Sequence, residues 1–333
     1  MTRKDFLNTV AGGALVSAIS ATTTTTASAA PERKGPKRGV SIYSYAHDFD
    51  VTATLEDCLM EVSELGTPGQ KMGLEILANG HIEGYPKPSE AWVRNWHDMC
   101  TKFDLLPVEY GHWIDSKLYA EGPEGLLDTK ESVAKLIDDI KLGNRLGFTR
   151  GRTKLGMIDN DGMPTPNWRE IIKGALPAAE KYNFRMLTEF HSPTPLKGRV
   201  MDEYMDFITK EKCNPWFGLN VDFSVFQTQR GEGGLGGPST GPGRPAFTMP
   251  LSQPEDIIPY LPYVHCCHAK FNEINRDCVD QTIPYPAIIK ILVEHQWDGY
   301  MMSEYEGLDK LTGGSWSAVR RQHVMLKRLL GEA

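Results

Sequence analysis

Four short apolar runs between residues 185 and 305 decide the fold: RMLTEF (185–190), GLNVDF (218–223), VHCCHAKF (264–271) and GYMMSEY (299–305). Each run has the length and the residue types of a buried strand. A polar loop and an amphipathic segment of helical periodicity follow each run. Each run also has an acidic residue or a histidine near its carboxyl end. We therefore predict four strand–helix units whose strands end in polar side chains.

The same alternation extends towards the amino terminus, with strands predicted at GVSIYSY (39–45), MGLEILA (72–78), LLPVEYG (105–111) and near Phe148. The eight predicted helices start near Thr54, Ser89, Gly125, Asn167, Arg199, Pro254, Pro286 and Ser315. Eight such units in roughly 250 to 300 residues are what a TIM barrel requires. A doubly wound sheet usually has a Gly-rich turn after its first strand, and this sequence has none there. The predicted fold class is therefore α/β, one (β/α)8 TIM barrel over residues 39–333.

The composition excludes several classes of protein. The chain has 333 residues, of which 40% are hydrophobic and 24% charged, so it can bury a large core and is not a disordered chain. Its 36 basic and 43 acidic residues give a formal net charge of −7. A protein that binds the phosphates of nucleic acid normally has a basic face. We therefore expect neither a nucleic-acid partner nor an integral membrane protein.

The first 29 residues have the features of a signal peptide. Arg3 and Lys4 form a basic start, residues 6–19 are apolar and small, and Ala27-Ser28-Ala29 has the form of a signal-peptidase site. The start resembles a twin-arginine export signal with Lys4 in place of the second Arg, so twin-arginine and general export both remain open. Residues 30–38 are predicted to be a linker, and the protein is expected to be periplasmic or secreted.

Four consecutive predicted strands end in side chains that can bind a metal ion. They are Glu189, Asp222, His268 and Glu304, from the fifth to the eighth strand. Active sites of TIM barrels lie at the carboxyl ends of the strands, so these side chains are expected to converge at the barrel mouth. One acidic residue at a strand end is more often a cap or an ion-pair partner, but four in succession favour a site. Three carboxylates and one imidazole favour a hard ion such as Mn²⁺ or Mg²⁺.

The run His265-Cys266-Cys267-His268 looks like a zinc cluster but is not predicted to be one. Side chains alternate along a strand, so Cys266 and His268 share one face, whereas His265 and Cys267 face the other way. Four adjacent residues on a strand therefore cannot surround one tetrahedral ion. His268 is predicted to point into the barrel, and His265 to pack against the helix layer. The chain's six cysteines have no CxxC spacing and are expected to be mostly buried thiols.

Further polar side chains lie near the predicted mouth. His191, two residues beyond Glu189, and His112, just past the third strand, are candidate general bases or substrate contacts. The candidate substrate-binding residues, which lie near other strand ends, are Glu75, His81, Lys154 and Lys270. The Gly-rich segment 231–243 lacks the Lys-Ser/Thr pair of a phosphate-binding loop. We predict that this segment is a lid or a surface for a partner.

The pattern of ligands resembles that of the xylose isomerase-like TIM barrels, the sugar isomerase/epimerase superfamily. The specific part is Glu on the fifth strand, Asp on the sixth, His on the seventh and Glu on the eighth. The resemblance implies that Glu189, Asp222, His268 and Glu304 bind one divalent ion, with Mn²⁺ expected and Mg²⁺, Co²⁺ or Zn²⁺ as alternatives. It also implies that the two glutamates form an acid–base pair on opposite faces of a sugar, as in epimerases of this group.

Four segments carry a narrower resemblance: GLEILANGHI (73–82), YPKPSEAWV (85–93), HAKF (268–271) and SEYEG (303–307). They are similar to segments of the larger, catalytic subunit of bacterial C-glycoside deglycosidases. The resemblance implies metal-assisted elimination from a 3-oxo-glucoside, with cleavage at the anomeric carbon. It also implies a small β-rich partner subunit.

Two positions disfavour a ketose epimerase. Val225 and Ile274 stand where such enzymes usually have a substrate-binding His and an Arg. Three hypotheses remain: a lyase acting on 3-oxo-glycosides, an isomerase or epimerase of free sugars, and a non-catalytic periplasmic sugar-binding barrel. The first two share one step, the removal of a proton from a carbon next to a carbonyl. Self-association of the chain is also left open.

Overall fold

Eight parallel strands form a closed barrel in which each strand pairs with the next along the chain and the last pairs with the first. The computed structural model describes residues 34–49, 51–112, 128–153, 164–228 and 250–332. The strands are β1 (Lys37–Ser41), β2 (Met72–Leu77), β3 (Leu105–His112), β4 (Arg150–Thr153), β5 (Arg185–Phe190), β6 (Phe217–Asp222), β7 (Val264–Phe271) and β8 (Tyr300–Tyr305). The predicted (β/α)8 TIM barrel is confirmed.

Helices lie between successive strands. The α-helices are α1 (Leu55–Glu64), α2 (Ala78–His81), α3 (Glu90–Lys102), α4 (Thr129–Arg145), α5 (Trp168–Lys181), α6 (Arg199–Glu211), α7 (Tyr285–Glu294) and α8 (Ser315–Leu330). The 3₁₀-helices are Ile42–Tyr45, Phe223–Phe226, Pro254–Tyr263 and Leu308–Thr312. Among the predicted helices, the one at Pro254 is not α-helical, because Pro259 and Pro262 remove two backbone N–H donors from it.

Capping residues set the starts of several helices. The Thr54 hydroxyl accepts a hydrogen bond from Asp57 N (3.2 Å), and the Asp57 carboxylate accepts one from Thr54 N (2.8 Å). The side chains of Ser89 and Asp128 also accept from the backbone N–H three residues further on. These bonds satisfy N–H groups that the first turn of a helix leaves unpaired. The caps therefore fix where α1, α3 and α4 begin.

The first strand is shorter than the predicted run 39–45, because the chain turns into the 3₁₀-helix Ile42–Tyr45. The Ser44 hydroxyl compensates for the lost strand pairing. It donates to Ser303 O (3.0 Å) and accepts from Tyr305 N (3.0 Å). The closure between β1 and β8 therefore depends partly on one side chain.

A small apolar cluster fills part of the barrel interior. Its members are Val108, Leu187, Cys266, Tyr300 and Met302. Gly73 makes room for this cluster, since a Cβ there would lie 2.6 Å from the Tyr300 ring and 2.9 Å from Val108 Cγ2. The interior is therefore a packed core, as in other TIM barrels, and polar side chains lie above it.

The structure bears on two further expectations. All six cysteines are free thiols, and Cys278 is the one that is not fully buried. Within the described ranges, no helix is long and apolar enough to cross a membrane. The predicted signal peptide (residues 1–29), Lys154 and the Gly-rich segment 231–243 lie outside the described residues, as does the side chain of His112.

Substitution of Gly73 by Ala should destabilise the barrel by about 1–3 kcal/mol, because the new methyl group would overlap Tyr300 and Val108. Gly80→Ala is the matched control, since the nearest atom to its new Cβ would be Leu77 Cβ at 3.7 Å. Urea denaturation measures both changes. Equal free energies of unfolding for the two variants would contradict the packed interior.

Candidate functional site

Four strand ends bring one imidazole and three carboxylates together. The His268 Nδ1 atom lies 2.8 Å from Glu304 Oε2, 3.0 Å from Glu189 Oε1 and 4.0 Å from Asp222 Oδ2. One ligand atom from each of the four residues lies within 4.8 Å of the others. The strands position them, because inward-facing residues on neighbouring parallel strands lie side by side at similar depth.

The donor set of this cluster suits a divalent cation. The four side chains are at most 5% exposed, so three carboxylates are buried close together. Neighbouring buried carboxylates are costly, because burial removes their solvation and their like charges repel. Three carboxylates and one imidazole nitrogen match the oxygen-rich coordination of a hard ion. The residues present therefore fit a metal ion.

Two buried cations are also part of the site. Arg152 on β4 pairs with Glu75 (3.2 Å) and Glu189 (2.9 Å). Lys270 Nζ lies 3.4 Å from both Asp222 Oδ2 and Glu304 Oε2, and 3.0 Å from Glu306 Oε2. Burial by itself lowers the pKa of Lys270, but the surrounding carboxylates outweigh it and hold that pKa well above its ordinary value.

The other face of His268 meets a second polar group. Nε2 lies 3.3 Å from Glu75 Oε2 and 2.9 Å from the Asn220 amide nitrogen, which donates to both oxygens of Glu109 at 3.1 and 3.2 Å. Burial lowers the pKa of His268, but Glu75 and Glu304 raise it well above the ordinary value. The site thus holds more buried negative charge than Arg152 and Lys270 offset, which is a further reason why it suits a cation.

Two further histidines among the predicted site residues have defined hydrogen bonds. His81 accepts from Leu77 N at Nδ1 (2.9 Å), so its neutral ring carries the proton on Nε2. Burial lowers the pKa of His81 to about 4, which keeps the ring neutral. The half-buried His191 donates from Nδ1 to Ser192 O, so its neutral ring presents Nε2 as the basic nitrogen. The two rings are therefore held in opposite tautomers.

Beside the site, Lys310 is a buried lysine that sequence reasoning missed. Its Nζ lies 3.6 Å from the centre of the Tyr43 ring. Burial lowers the pKa of Lys310 to about 8, although Glu306 opposes this. Lys310 lies on the 3₁₀-helix Leu308–Thr312, whose single turn is too short to show a hydrophobic period.

The structure brings some of the predicted site residues together and places others behind or beside the cluster. Glu189, Asp222, His268, Glu304 and Lys270 come together. Glu75 is fully buried behind His268, and His81 is buried on α2. Arg152, Asn220 and Glu306 complete the site, and the sequence offered one signal for each. Asn220 and Glu306 each lie two residues from a predicted ligand, Asp222 and Glu304, and residues at this spacing along a strand face the same way. Arg152 lies at a position of β4 whose side chain points into the barrel.

One expected orientation is wrong. His265 was predicted to pack against the helix layer, but a register shift between β6 and β7 brings its ring against Gly218, near Arg150 and Arg185. A bulge of this kind changes the alternation of side chains at the start of a strand. Cys266 and Cys267 keep the predicted alternation, because the first lies in the interior cluster and the second in the outer core.

Several known proteins are similar to this chain. Residues 70–322 match the family model described as a xylose isomerase-like TIM barrel. A C-glycoside deglycosidase alpha subunit of Arthrobacter globiformis is 22% identical and covers 90% of this chain and 94% of its own. A 3'-dehydrocarminate deglycosidase alpha subunit of Microbacterium sp is 21% identical, with coverages of 89% and 96%. These matches confirm both resemblances that the sequence indicated.

A solved structure shares the fold. A sugar phosphate isomerase/epimerase of Parabacteroides distasonis superposes with a TM-score of 0.58 at 17% identity, over 91% of this chain and 97% of that protein. At this level of identity the likeness concerns the fold.

Removal of the Arg152 charge should be strongly destabilising. Arg152→Met leaves Glu75 and Glu189 without their buried cation, and breaking such a pair costs about 3–5 kcal/mol. Arg199→Met is the control, since Arg199 forms an exposed pair with Glu203 that is worth about 1 kcal/mol or less. Chemical denaturation of both variants measures the difference. Similar losses would show that the buried pairs do not stabilise the site.

Proposed function

The chain belongs to the xylose isomerase-like TIM barrel family, and on that premise we propose that it is a metal-dependent enzyme that acts on sugars or glycosides. The observation that carries the proposal is the buried cluster of Glu189, Asp222, His268 and Glu304. These residues would hold one divalent ion, Mn²⁺ in the first instance, with Mg²⁺, Co²⁺ or Zn²⁺ as alternatives. When bound, the ion would stabilise negative charge that develops on the oxygens of the sugar.

The reaction that we propose is deglycosylation of a 3-oxo-glycoside by elimination. The two relatives named above are deglycosidase alpha subunits, and their similarity extends over about nine-tenths of this chain. Val225 is fully buried and Ile274 is 8% exposed. These two apolar side chains offer no hydrogen bonds where ketose epimerases usually have His and Arg, which supports elimination over epimerisation.

Elimination requires one proton to leave carbon and one to reach the leaving group. The C–H bond next to the oxo group breaks, and its electron pair forms a double bond to the anomeric carbon. The bond from the anomeric carbon to the aglycone then breaks, and the departing atom keeps the electron pair of that broken bond and gains a proton. The chain must therefore supply one base and one acid near the barrel mouth.

We assign the role of base to His191 and leave Glu189 as a ligand. Glu189 has both oxygens engaged, Oε1 near His268 Nδ1 (3.0 Å) and Oε2 with Arg152 (2.9 Å). His191 has its Nδ1 proton held by Ser192 O, which directs the basic Nε2 away from the main chain. The side chain of His112 remains a second candidate for this role.

His81 and Lys270 are proposed as hydrogen-bond donors to substrate oxygens. The tautomer of His81 makes Nε2 a donor. Lys270, beside Asp222 and Glu304, carries a positive charge that would stabilise an oxyanion. Glu75 orients His268 from behind, and Lys154 is retained as a predicted substrate contact.

An isomerase or epimerase of free sugars is the second candidate. Glu189 and Glu304 flank His268 Nδ1, an arrangement that could place one carboxylate on each face of a sugar. A non-catalytic periplasmic sugar-binding barrel is the third. Assays with 3-oxo-glucosides and with free ketoses separate the three. Turnover of ketoses alone favours the second candidate, and absence of both metal and turnover favours the third.

Two proposals concern the surroundings of the enzyme. The relatives named above are alpha subunits, so we propose that this chain also has a partner subunit, expected to be small and β-rich. Self-association is the alternative.

Residues 1–29 would direct export to the periplasm or the medium, and fractionation of cells that express the full chain tests this.

Glu304→Gln and His268→Ala should each lower the amount of metal bound per chain and abolish turnover, because each removes one ligand of the proposed ion. Metal analysis of the purified protein measures the first effect. Glu294→Gln and His97→Ala are matched controls on the exposed faces of α7 and α3. Full metal content and full activity in the site variants would refute the proposed metal site.

His191→Asn should lower kcat by about 10²–10⁴-fold and leave the metal content unchanged, because a general base contributes a factor of that size. His97→Asn serves as the control, since His97 is exposed on α3 and bonds to Arg145 O. Single-turnover kinetics measures the chemical step. If the variant loses metal together with activity, His191 has a structural role rather than that of a base.

A further inference from the structure

The end of the barrel opposite the metal cluster carries two neighbouring arginines. Arg150 and Arg185 are the first residues of β4 and β5, and they pair directly in the sheet. Side chains two residues apart on a strand face the same way. Arg150 therefore points inward like Arg152, and Arg185 points inward like Leu187, which lies in the interior cluster. Both guanidinium groups therefore lie beneath the interior cluster, on the same side of the sheet.

Within the described residues, neither arginine has a carboxylate partner. Arg150 Nη1 donates to His265 O (2.6 Å), and Arg185 Nε donates to Pro215 O (3.1 Å). In the part of the chain that the structure describes, Arg150 Nε and His265 Nε2 are buried and have no hydrogen-bond partner. Arg38 and Arg152, which are fully buried, each have carboxylate partners. Arg150 and Arg185 thus retain N–H groups that an anion could use.

The positive charge of this pair affects the pKa values of neighbouring groups. Burial, followed by the charge of Arg150, lowers the pKa of Arg185. Burial and the charges of Arg185 and Arg150 lower the pKa of His265 to about 3, so that ring stays neutral. Two like charges held side by side without a counter-ion are unfavourable. A bound anion would relieve this repulsion.

A cavity of about 450 Å³ opens beside the two arginines and is also lined by His265, His295 and Trp297. The one acidic side chain on its wall, among the described residues, is Asp298. Asp298 is paired with Lys37 Nζ (3.0 Å) and accepts from Gly35 N (3.3 Å), so its charge is compensated. The cavity therefore offers a net positive wall with N–H donors.

We propose that Arg150, Arg185 and the adjoining cavity bind a tetrahedral oxyanion, either inorganic phosphate or the phosphate group of a small metabolite. The planar guanidinium group presents paired N–H donors that match phosphate oxygens, and two such groups offset a dianion. The cavity is large enough for a phosphate monoester as well as for the free ion. This site is separate from the proposed catalytic site, and it does not depend on the proposed reaction.

Isothermal titration calorimetry of the metal-loaded full chain tests the site, with inorganic phosphate and glycerol 3-phosphate as the two probes. The wild type should bind one equivalent of at least one probe, and the tighter probe identifies the source of the phosphate group. Arg185→Gln should weaken binding about tenfold or more, since charge-assisted hydrogen bonds are lost. Arg94→Gln, which removes an exposed charge on α3, should bind as the wild type does.

A second readout guards against a folding defect. Without phosphate, Arg185→Gln should have a Tm equal to or above that of the wild type, because it removes the repulsion from Arg150. Arg185→Lys keeps the charge but loses the paired donors, and should bind phosphate less tightly than the wild type. Wild-type affinity in both Arg185 variants would place any bound phosphate elsewhere, for example at the metal cluster, and would overturn the proposal. Absence of binding to the wild type would overturn it too.

Discussion

The site depends on the contacts of the His268 imidazole, because both of its ring nitrogens face carboxylates. Nδ1 faces Glu189 and Glu304, at 3.0 and 2.8 Å, and Nε2 faces Glu75 at 3.3 Å. Arg152 joins the two groups, because it pairs with Glu75 on one side and Glu189 on the other. The carboxylates on either side of the ring could not be buried at this density of charge without these cationic partners. The ring and the guanidinium group together fix the positions of the candidate metal ligands.

The charges inside the barrel are ordered by depth. The carboxylates lie towards the carboxyl ends of the strands, and Arg150 and Arg185 lie at the amino ends. The apolar cluster that includes Leu187 and Met302 lies between them. Parallel strands produce this order, because inward-facing residues two apart on one strand lie one layer apart. Arg150 and Arg152 illustrate it, since among the described residues the first lacks a carboxylate partner and the second has two.

The excess of buried acid is a cost that the proposed metal site would explain. Asp222 and Glu304 are buried close to Glu189, and burial raises the pKa of Asp222 to about 6, although Lys270 opposes this. Proteins tend to break the rule of paired buried charge at functional sites. The same local excess that would destabilise an ion-free barrel would favour a divalent ion, so stability and metal affinity are expected to be linked.

Much of the fold and of the candidate site could be predicted because both depend on short periods in the sequence. The alternation of strands and helices predicted the barrel, and strand ends predicted Glu189, Asp222, His268 and Glu304. Less could be predicted where a residue's role depends on a partner far along the chain. Arg152 meets Glu75 across 77 positions of sequence only because β2, β4 and β5 curve around one axis. Lys310 lies on a single 3₁₀ turn, which has no period to detect.

The sequence by itself determined the order of the strands, the parity of their side chains and the chemical types at their carboxyl ends, because these are properties of neighbouring residues. Only the tertiary structure decided which charges are paired. Closure of the barrel and the bulge between β6 and β7 set the distances across the interior, and they placed His265 near Arg150 and Arg185 rather than in the helix layer. Electrostatic interactions depend on these distances and on burial, and neither quantity is a local property of the chain.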